Sequence, residues 1–189
     1  KKRVSLYVMN HTSMLDGLVA VGALPHPFCG IENAAHLQLP GYGWLMRMAN
    51  AIPVRRRSEG GQTGQLTKTA IERAGRGISV LAFPEAHRTP DGQVRDFRTG
   101  VFRMARDAGL PVVPVAIRGA HEVFPKGRWY VTPGHLDVYI GPTIETENLS
   151  DEELEVLSQQ CRLIITDYLD EQTTVSPLPE AVTAPVLSA

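Results

Sequence analysis

The sequence predicts an α/β fold, a single layered domain whose central, mostly parallel or mixed sheet is flanked by helices. Three observations predict it. Short apolar runs rich in β-formers alternate along the chain with segments of helical periodicity. Gly, Pro, Ser and Asn cluster between those runs, where turns belong. The 189 residues are 43% hydrophobic and 21% charged, about one domain's worth of ordinary globular sequence with enough apolar material to close a core.

The first run, Val4-Ser5-Leu6-Tyr7-Val8-Met9, reads as a buried strand. Asn10-His11-Thr12-Ser13 follows, and Thr12 and Ser13 are candidate N-caps for a helix from about Met14. A second strand spans 28–31, and Trp44, Leu45, Met46 and Met48 mark a short apolar helix entered through Pro40 and Gly41. Ile52-Pro53-Val54 is a brief strand that runs into Arg55-Arg56-Arg57 and a Ser58-Glu59-Gly60-Gly61 linker. Leu66, Ala70 and Ala74, four apart, give a helix one modest apolar face, and Gly75 and Gly77 end it. Ile78-Ser79-Val80-Leu81-Ala82-Phe83 is the clearest buried strand. A helix over 99–108 stops at Gly109 and Pro111, a strand covers 112–117, and 136–140 alternates like a half-exposed strand. Ser150 and Glu153 form a capping box, and Leu154, Leu157, Cys161, Ile164 and Tyr168 then stripe one helical face. The domain is read as residues 1–172, with an aperiodic tail over 173–189.

Composition excludes several classes of function. Nineteen basic against 20 acidic residues leave a net charge of −1, which argues against nucleic acid as a partner. Cys29 and Cys161 have neither metal-ligand spacing nor a disulfide framework, and fit a reducing compartment. No run reaches the roughly 18 apolar residues of a membrane span. Zinc-protease, serine-hydrolase-elbow, P-loop and dinucleotide patterns are all missing from the sequence, and no metal is expected.

Three clusters can carry chemistry. His11 follows a strand, and Asp16 lies five residues on. Five residues rotate an ideal helix by about 140°, so the two meet only if His11 stays in the loop and Asp16 takes the first helical turn. A carboxylate on one ring nitrogen then fixes the tautomer and frees the other nitrogen as a base. The spacing alone is a weak signal and better suits a polar loop histidine and a helix-start acid. At the end of the best strand, Glu85 and Arg88 project from Phe83-Pro84-Glu85-Ala86-His87-Arg88-Thr89, where α/β sheets gather ligands. Arg88 suits phosphate and Glu85 can orient it or accept a substrate hydroxyl; a surface ion pair is the plainer alternative. Arg55 and Arg56, with Arg98 near a later helix start, could meet an anion or form a solvated charge run. His26, His36, His121 and His135 stand in no motif and read as surface or structural residues.

Taken in order, these segments resemble the glycerolipid acyltransferase family, whose type activity acylates 1-acyl-sn-glycerol 3-phosphate. Asn10-His11-Thr12-Ser13-Met14-Leu15-Asp16 looks like its Asn-His-x-x-x-x-Asp motif. Ala51-Ile52-Pro53-Val54-Arg55-Arg56, the 83–89 segment and Val113-Pro114-Val115-Ala116-Ile117 look like the three that follow. The resemblance runs from about Val4 to Ile140. It implies that His11 takes the proton of an acceptor hydroxyl, that Asp16 holds the imidazole, and that Arg56, Glu85 and Arg88, helped by Arg55 and Arg98, position a phosphate-bearing acceptor. It implies no bound cofactor, with acyl-CoA or acyl-carrier protein as donor substrate, and a membrane lipid as acceptor. It also implies association with the cytoplasmic face of a membrane. The opening Lys1-Lys2-Arg3 fits the cytoplasmic flank of an upstream anchoring segment. Trp44, Leu45, Met46 and Met48 are the candidate membrane-facing segment, or else core.

Three departures stand out. Ala86-His87 replaces the family's Gly-Thr, which predicts backbone at Ala86 with no need of positive φ. Arg55 replaces an acid. Glu32-Asn33-Ala34-Ala35 has no lysine where many members carry one. These leave room for another lyso-lipid acceptor, a lysophospholipid or an ornithine-type lipid. A non-catalytic membrane-binding protein of the same fold and a thioesterase are the readings from other classes.

Overall fold

The structure is a computed structural model and describes residues 3–25, 27–55 and 63–171. Six strands form one sheet in the order β3-β2-β4-β1-β5-β6. They are β1 (Leu6–Met9), β2 (Phe28–Asn33), β3 (Ile52–Val54), β4 (Ser79–Ala82), β5 (Val112–Arg118) and β6 (Asp137–Ile140). The first five run parallel, and β6 closes one edge antiparallel to β5, with Val115 opposite Ile140. The helices are α1 (Asp16–Ala23), α2 (Tyr42–Met48), α3 (Thr63–Gly75), α4 (Gly100–Asp107), α5 (Ala120–Val123) and α6 (Asp151–Glu171). A 3₁₀ turn at His36–Gln38 precedes α2.

The central strands β1, β4 and β5 are mostly apolar because the sheet is covered on both faces there. Leu6, Val8, Val80, Ala82, Val112 and Ala116 face a core completed by α3, α4 and α6 through Leu66, Ala70, Phe102, Leu154 and Leu157. Tyr7, Met9, Leu81, Val113, Val115 and Ile117 face the other way, against Ala20 of α1, Leu24 just past its end and Ala120 of α5. Alternation across a strand sends successive residues to opposite cores. Cys29 and Cys161 are free thiols buried in the first core; burial pushes Cys161 up to about 12.

Several expected details change. Thr12 and Ser13 do not cap α1, which begins two residues beyond Met14; the Asp16 side chain instead reaches back to their N–H groups. In α6, Ile165 rather than Ile164 is fully buried, because Cys161 and Ile165 are four apart on the face already set by Leu154 and Leu157. The Ser150–Glu153 capping box forms in both directions, at 2.7 and 3.2 Å. β6 has no fully buried residue, as suits an edge strand. The turn from β5 into α5 requires glycine. Gly119 has φ +83°, and a Cβ there would sit 1.9 Å from the His135 carbonyl oxygen. The tail over 173–189, together with Gln172 and Arg56, lies outside the described residues.

Candidate active site

All five parallel strands end on one rim, and the loops leaving β1 and β4 are stitched together there. Asn10 extends β1 with its side chain. Its Nδ2 donates to the Ile117 carbonyl at 2.9 Å and its Oδ1 accepts from the Ile117 N–H at 2.8 Å, so an amide imitates one more residue of ladder. His11 comes next, its backbone N–H donating to Glu85 Oε1 at 2.8 Å and its carbonyl accepting from the Thr89 N–H at 3.0 Å. The His11 ring stacks on Phe83, with centroids 4.0 Å apart. Ser13 Oγ donates to the Phe124 carbonyl and ties the far end of the turn to the segment after α5.

The turn brings His11 and Asp16 together. His11 Nδ1 lies 2.8 Å from Asp16 Oδ2, with Asp16 fully buried and the histidine side chain 23% exposed. Asp16 is the first residue of α1, and its Oδ2 also accepts the Thr12 and Ser13 N–H groups at 2.8 and 2.9 Å. Three donors around one oxygen and a helix N-terminus beneath it stabilise a charge that burial alone would penalise. Asp16 is an acceptor when ionised, so Nδ1 carries the proton and Nε2 presents a lone pair. An imidazole so held can take a proton and is stabilised as imidazolium by the carboxylate.

Glu85 has a different place from the one its motif suggests. Both oxygens accept backbone N–H groups, Oε1 from His11 and Oε2 from Arg95 at 2.9 Å. Burial, the largest influence, pushes its carboxyl above the ordinary glutamate range, opposed by those two hydrogen bonds. It clamps the loop that carries His11. Arg88 is half-buried one residue before Thr89, whose N–H bonds to His11. Arg98 is exposed, and its backbone N–H donates to the Pro84 carbonyl, so it stands beside the same loop. Arg55 is exposed just past β3, three strands from β1, or roughly 14 Å along the rim. Ala86 has φ +66°, so the expectation of ordinary backbone there is corrected: this turn uses the left-handed conformation, and alanine carries its strain.

Two groups on this rim escaped the sequence reading. Phe83 was visible as a strand end, but only the fold puts its ring under His11. Glu32, His36 and Tyr42 also converge: His36 Nδ1 is 2.5 Å from Glu32 Oε1, and the Tyr42 ring meets the His36 ring edge-on with centroids 6.4 Å apart. Histidine four residues after glutamate was a readable signal for the first contact.

With this geometry in view, comparison with known proteins is decisive. A family model described as acyltransferase matches residues 1–118. The chain belongs to the acyltransferase family. All four motif segments lie within the matched span. The chain is 32% identical over 159 residues to a 1-acyl-sn-glycerol-3-phosphate acyltransferase of Pseudomonas aeruginosa, covering 84% of this chain and 60% of that protein. It is 30% identical over 167 residues to the chloroplastic LPAT1 enzyme of the same name from Arabidopsis thaliana, covering 88% of this chain and 45% of the other. The crystal structure of the 1-acyl-sn-glycerophosphate acyltransferase PlsC from Thermotoga maritima superposes with a TM-score of 0.76 at 29% identity, over 94% of this chain and 70% of that one. The chain thus spans about half the length of these two curated acyltransferases, and its sheet and flanking helices match the acyltransferase fold.

Proposed function

We propose that this chain transfers a fatty acyl group from acyl-CoA or acyl-carrier protein to the free hydroxyl of lysophosphatidate, making phosphatidate. The observation that carries the reading is the 2.8 Å contact between His11 Nδ1 and the buried Asp16 carboxylate, on a sheet rim beside Arg88. His11 Nε2 takes the proton of the acceptor hydroxyl as its oxygen attacks the thioester carbonyl. A C–O bond forms, the C–S bond breaks, and the imidazolium returns the proton to the departing thiolate. Asp16 keeps the ring in the required tautomer and stabilises its charge. Arg88, together with Arg56 and Arg98, supplies the positive charge that the acceptor phosphate needs; Glu85 serves by fixing the loop. No step calls for a bound cofactor.

Both substrates carry long acyl chains, so the rim meets a membrane in this reading, at its cytoplasmic face. Among the described residues no helix is long and apolar enough to cross a bilayer. Trp44, Leu45 and Met48 on α2 are 65%, 54% and 61% exposed, which favours the membrane-facing reading over core for this segment. Leu18 and Val21 expose a second apolar face on α1, the helix that begins with Asp16.

The test is His11→Ala, assayed by thiol release from a labelled acyl-CoA with lysophosphatidate present. Loss of a positioned base lowers kcat by about 10²–10⁴-fold. The far-UV circular dichroism should stay that of the parent, because the backbone bonds of residue 11 to Glu85 and Thr89 remain and Asp16 keeps the Thr12 and Ser13 N–H groups. Undiminished turnover refutes the proposal. Release that needs no acceptor points to a thioesterase instead.

A further inference from the structure

A lysine outside all four motifs stands against the rim loop that carries Arg88. After α5 the chain turns back over Pro125-Lys126-Gly127-Arg128. The Arg128 N–H donates to the Pro125 carbonyl at 3.3 Å and Gly127 has φ +90°, the pattern of a type II turn with Lys126 at its tip. Behind the turn, the Thr132 N–H donates to the Val123 carbonyl at 2.9 Å and closes the loop. In front, the loop is fastened to the site. Ser13 Oγ donates to the Phe124 carbonyl at 2.7 Å, and Ser13 pairs with Pro125 in an antiparallel bridge, two residues past His11. From this anchored turn Lys126 Nζ reaches the Arg88 carbonyl at 3.5 Å. The turn tied to the His11 loop thus delivers an ammonium group to the backbone of Arg88.

Two cations rooted this close repel each other unless an anion joins them. Among the described residues neither Arg88 nor Lys126 makes an ion pair with a carboxylate. The neighbouring Arg128 is committed elsewhere: its Nη1 donates to Thr132 Oγ1 at 3.1 Å and its guanidinium lies over the Tyr130 ring. Lys126 is exposed and has two N–H donors beyond the one aimed at Arg88. The segment Glu32-Asn33-Ala34-Ala35 brings no lysine to the rim from the β2 side, whereas the Lys126 turn brings one from the β5 side, next to β1. A phosphate monoester carries up to two negative charges and three terminal oxygens, enough to engage a guanidinium and an ammonium together. We propose that Lys126 is an acceptor-binding residue, which holds the phosphate monoester of the acceptor jointly with Arg88. The inference rests on the acyl-transfer reading of His11 and Asp16. Lys126 takes no part in the bond changes and moves no proton; its charge acts on capture of the acceptor.

The experiment measures thiol release from oleoyl-CoA in mixed micelles, varying lysophosphatidate and then oleoyl-CoA, for the parent, Lys126→Gln, Lys126→Glu and Lys126→Arg. Lys126→Gln should raise KM for lysophosphatidate by about fivefold or more, as loss of a charge-assisted hydrogen bond does, with kcat and the KM for oleoyl-CoA within about twofold of the parent. Lys126→Glu should raise the acceptor KM further, and Lys126→Arg, which keeps the charge, should stay within about twofold of the parent. A rise below fivefold in Lys126→Gln overturns the inference and leaves transfer to lysophosphatidate intact. So does a Lys126→Arg variant as impaired as Lys126→Gln, since charge would then not be the cause. A KM for oleoyl-CoA that rises as much as the acceptor's also overturns it, because the residue would then serve the donor or the shape of the loop. A parent that turns over no lysophosphatidate overturns the acyl-transfer reading and this inference together. Lys126 is exposed at a turn tip and its bond to the Arg88 carbonyl is long, so the three variants should fold, with far-UV circular dichroism equal to the parent's.

Discussion

At Ala86 the backbone turns through φ +66°, a region in which a Cβ crowds the neighbouring carbonyl. An L-residue there is strained by about 1–2 kcal/mol, and glycine's greater unfolded-state entropy gives back up to about 1 kcal/mol. Ala86→Gly should therefore stabilise the protein by roughly 0.5–1 kcal/mol. For a domain of this size that is a rise of about 2–4 °C per kcal/mol in the thermal midpoint, read by calorimetry or circular dichroism. A midpoint that falls would show that Ala86 is strain-free. The sequence named this position as a departure from a glycine-bearing motif, yet no rule of composition says whether a loop has changed its backbone or accepted strain. His11 and Asp16 were more legible, because a strand, a loop and a helix start limit how they can meet. Asn10 and Glu85 were not: each acts on a backbone group 74 to 107 residues away, which only chain closure brings near.

Among the elements, α1 and α2 break the pattern set by α6. In α6 the apolar stripe lies against the sheet, with Leu154, Leu157, Cys161 and Ile165 buried. In α2 Gly43 is the one buried residue, pressed so close to the Leu37 backbone that a Cβ would clash, and the large apolar side chains turn outward. The sequence left α2 open between core and membrane because apolar residues in a seven-residue helix suit both. It packs mainly on the 3₁₀ turn that precedes it, which leaves it little core to join. Replacing Trp44, Leu45 and Met48 together by Ser should reduce co-sedimentation with anionic phospholipid vesicles at least tenfold, since each buried apolar side chain contributes about 1.5–3 kcal/mol. Far-UV circular dichroism should barely change. Vesicle binding equal to the parent's would remove α2 from the membrane-facing surface.

For the molecule as a whole, Glu85 links stability to pH. Its carboxyl is pushed above the ordinary glutamate range by burial, so the folded state binds a proton more readily than the unfolded state. The sign follows: this contribution is fully present below the ordinary glutamate pKa and is lost as pH rises through the folded value. Glu85→Gln lacks that titration. The parent's thermal midpoint minus the variant's should accordingly be greatest in acid and shrink toward neutrality. A difference that grows with pH would mean that the two backbone N–H groups outweigh desolvation. The same residue joins the scales, since its two oxygens tie the loop after β1 to the chain before α4, and with it His11 to the far side of the β4 loop.

The sequence by itself determined the layered α/β class, the order of the strands and helices from β1 to α6 apart from α5, and the four short motifs, because apolar periodicity, turn residues and local spacing are properties of neighbouring residues. Only the tertiary structure decided the sheet order, the ring of Phe83 under His11, the diversion of Glu85 to backbone groups and the meeting of Glu32, Tyr42 and His36. Those depend on which strands lie side by side, and strand pairing is settled by burial summed over the whole chain rather than by any one segment.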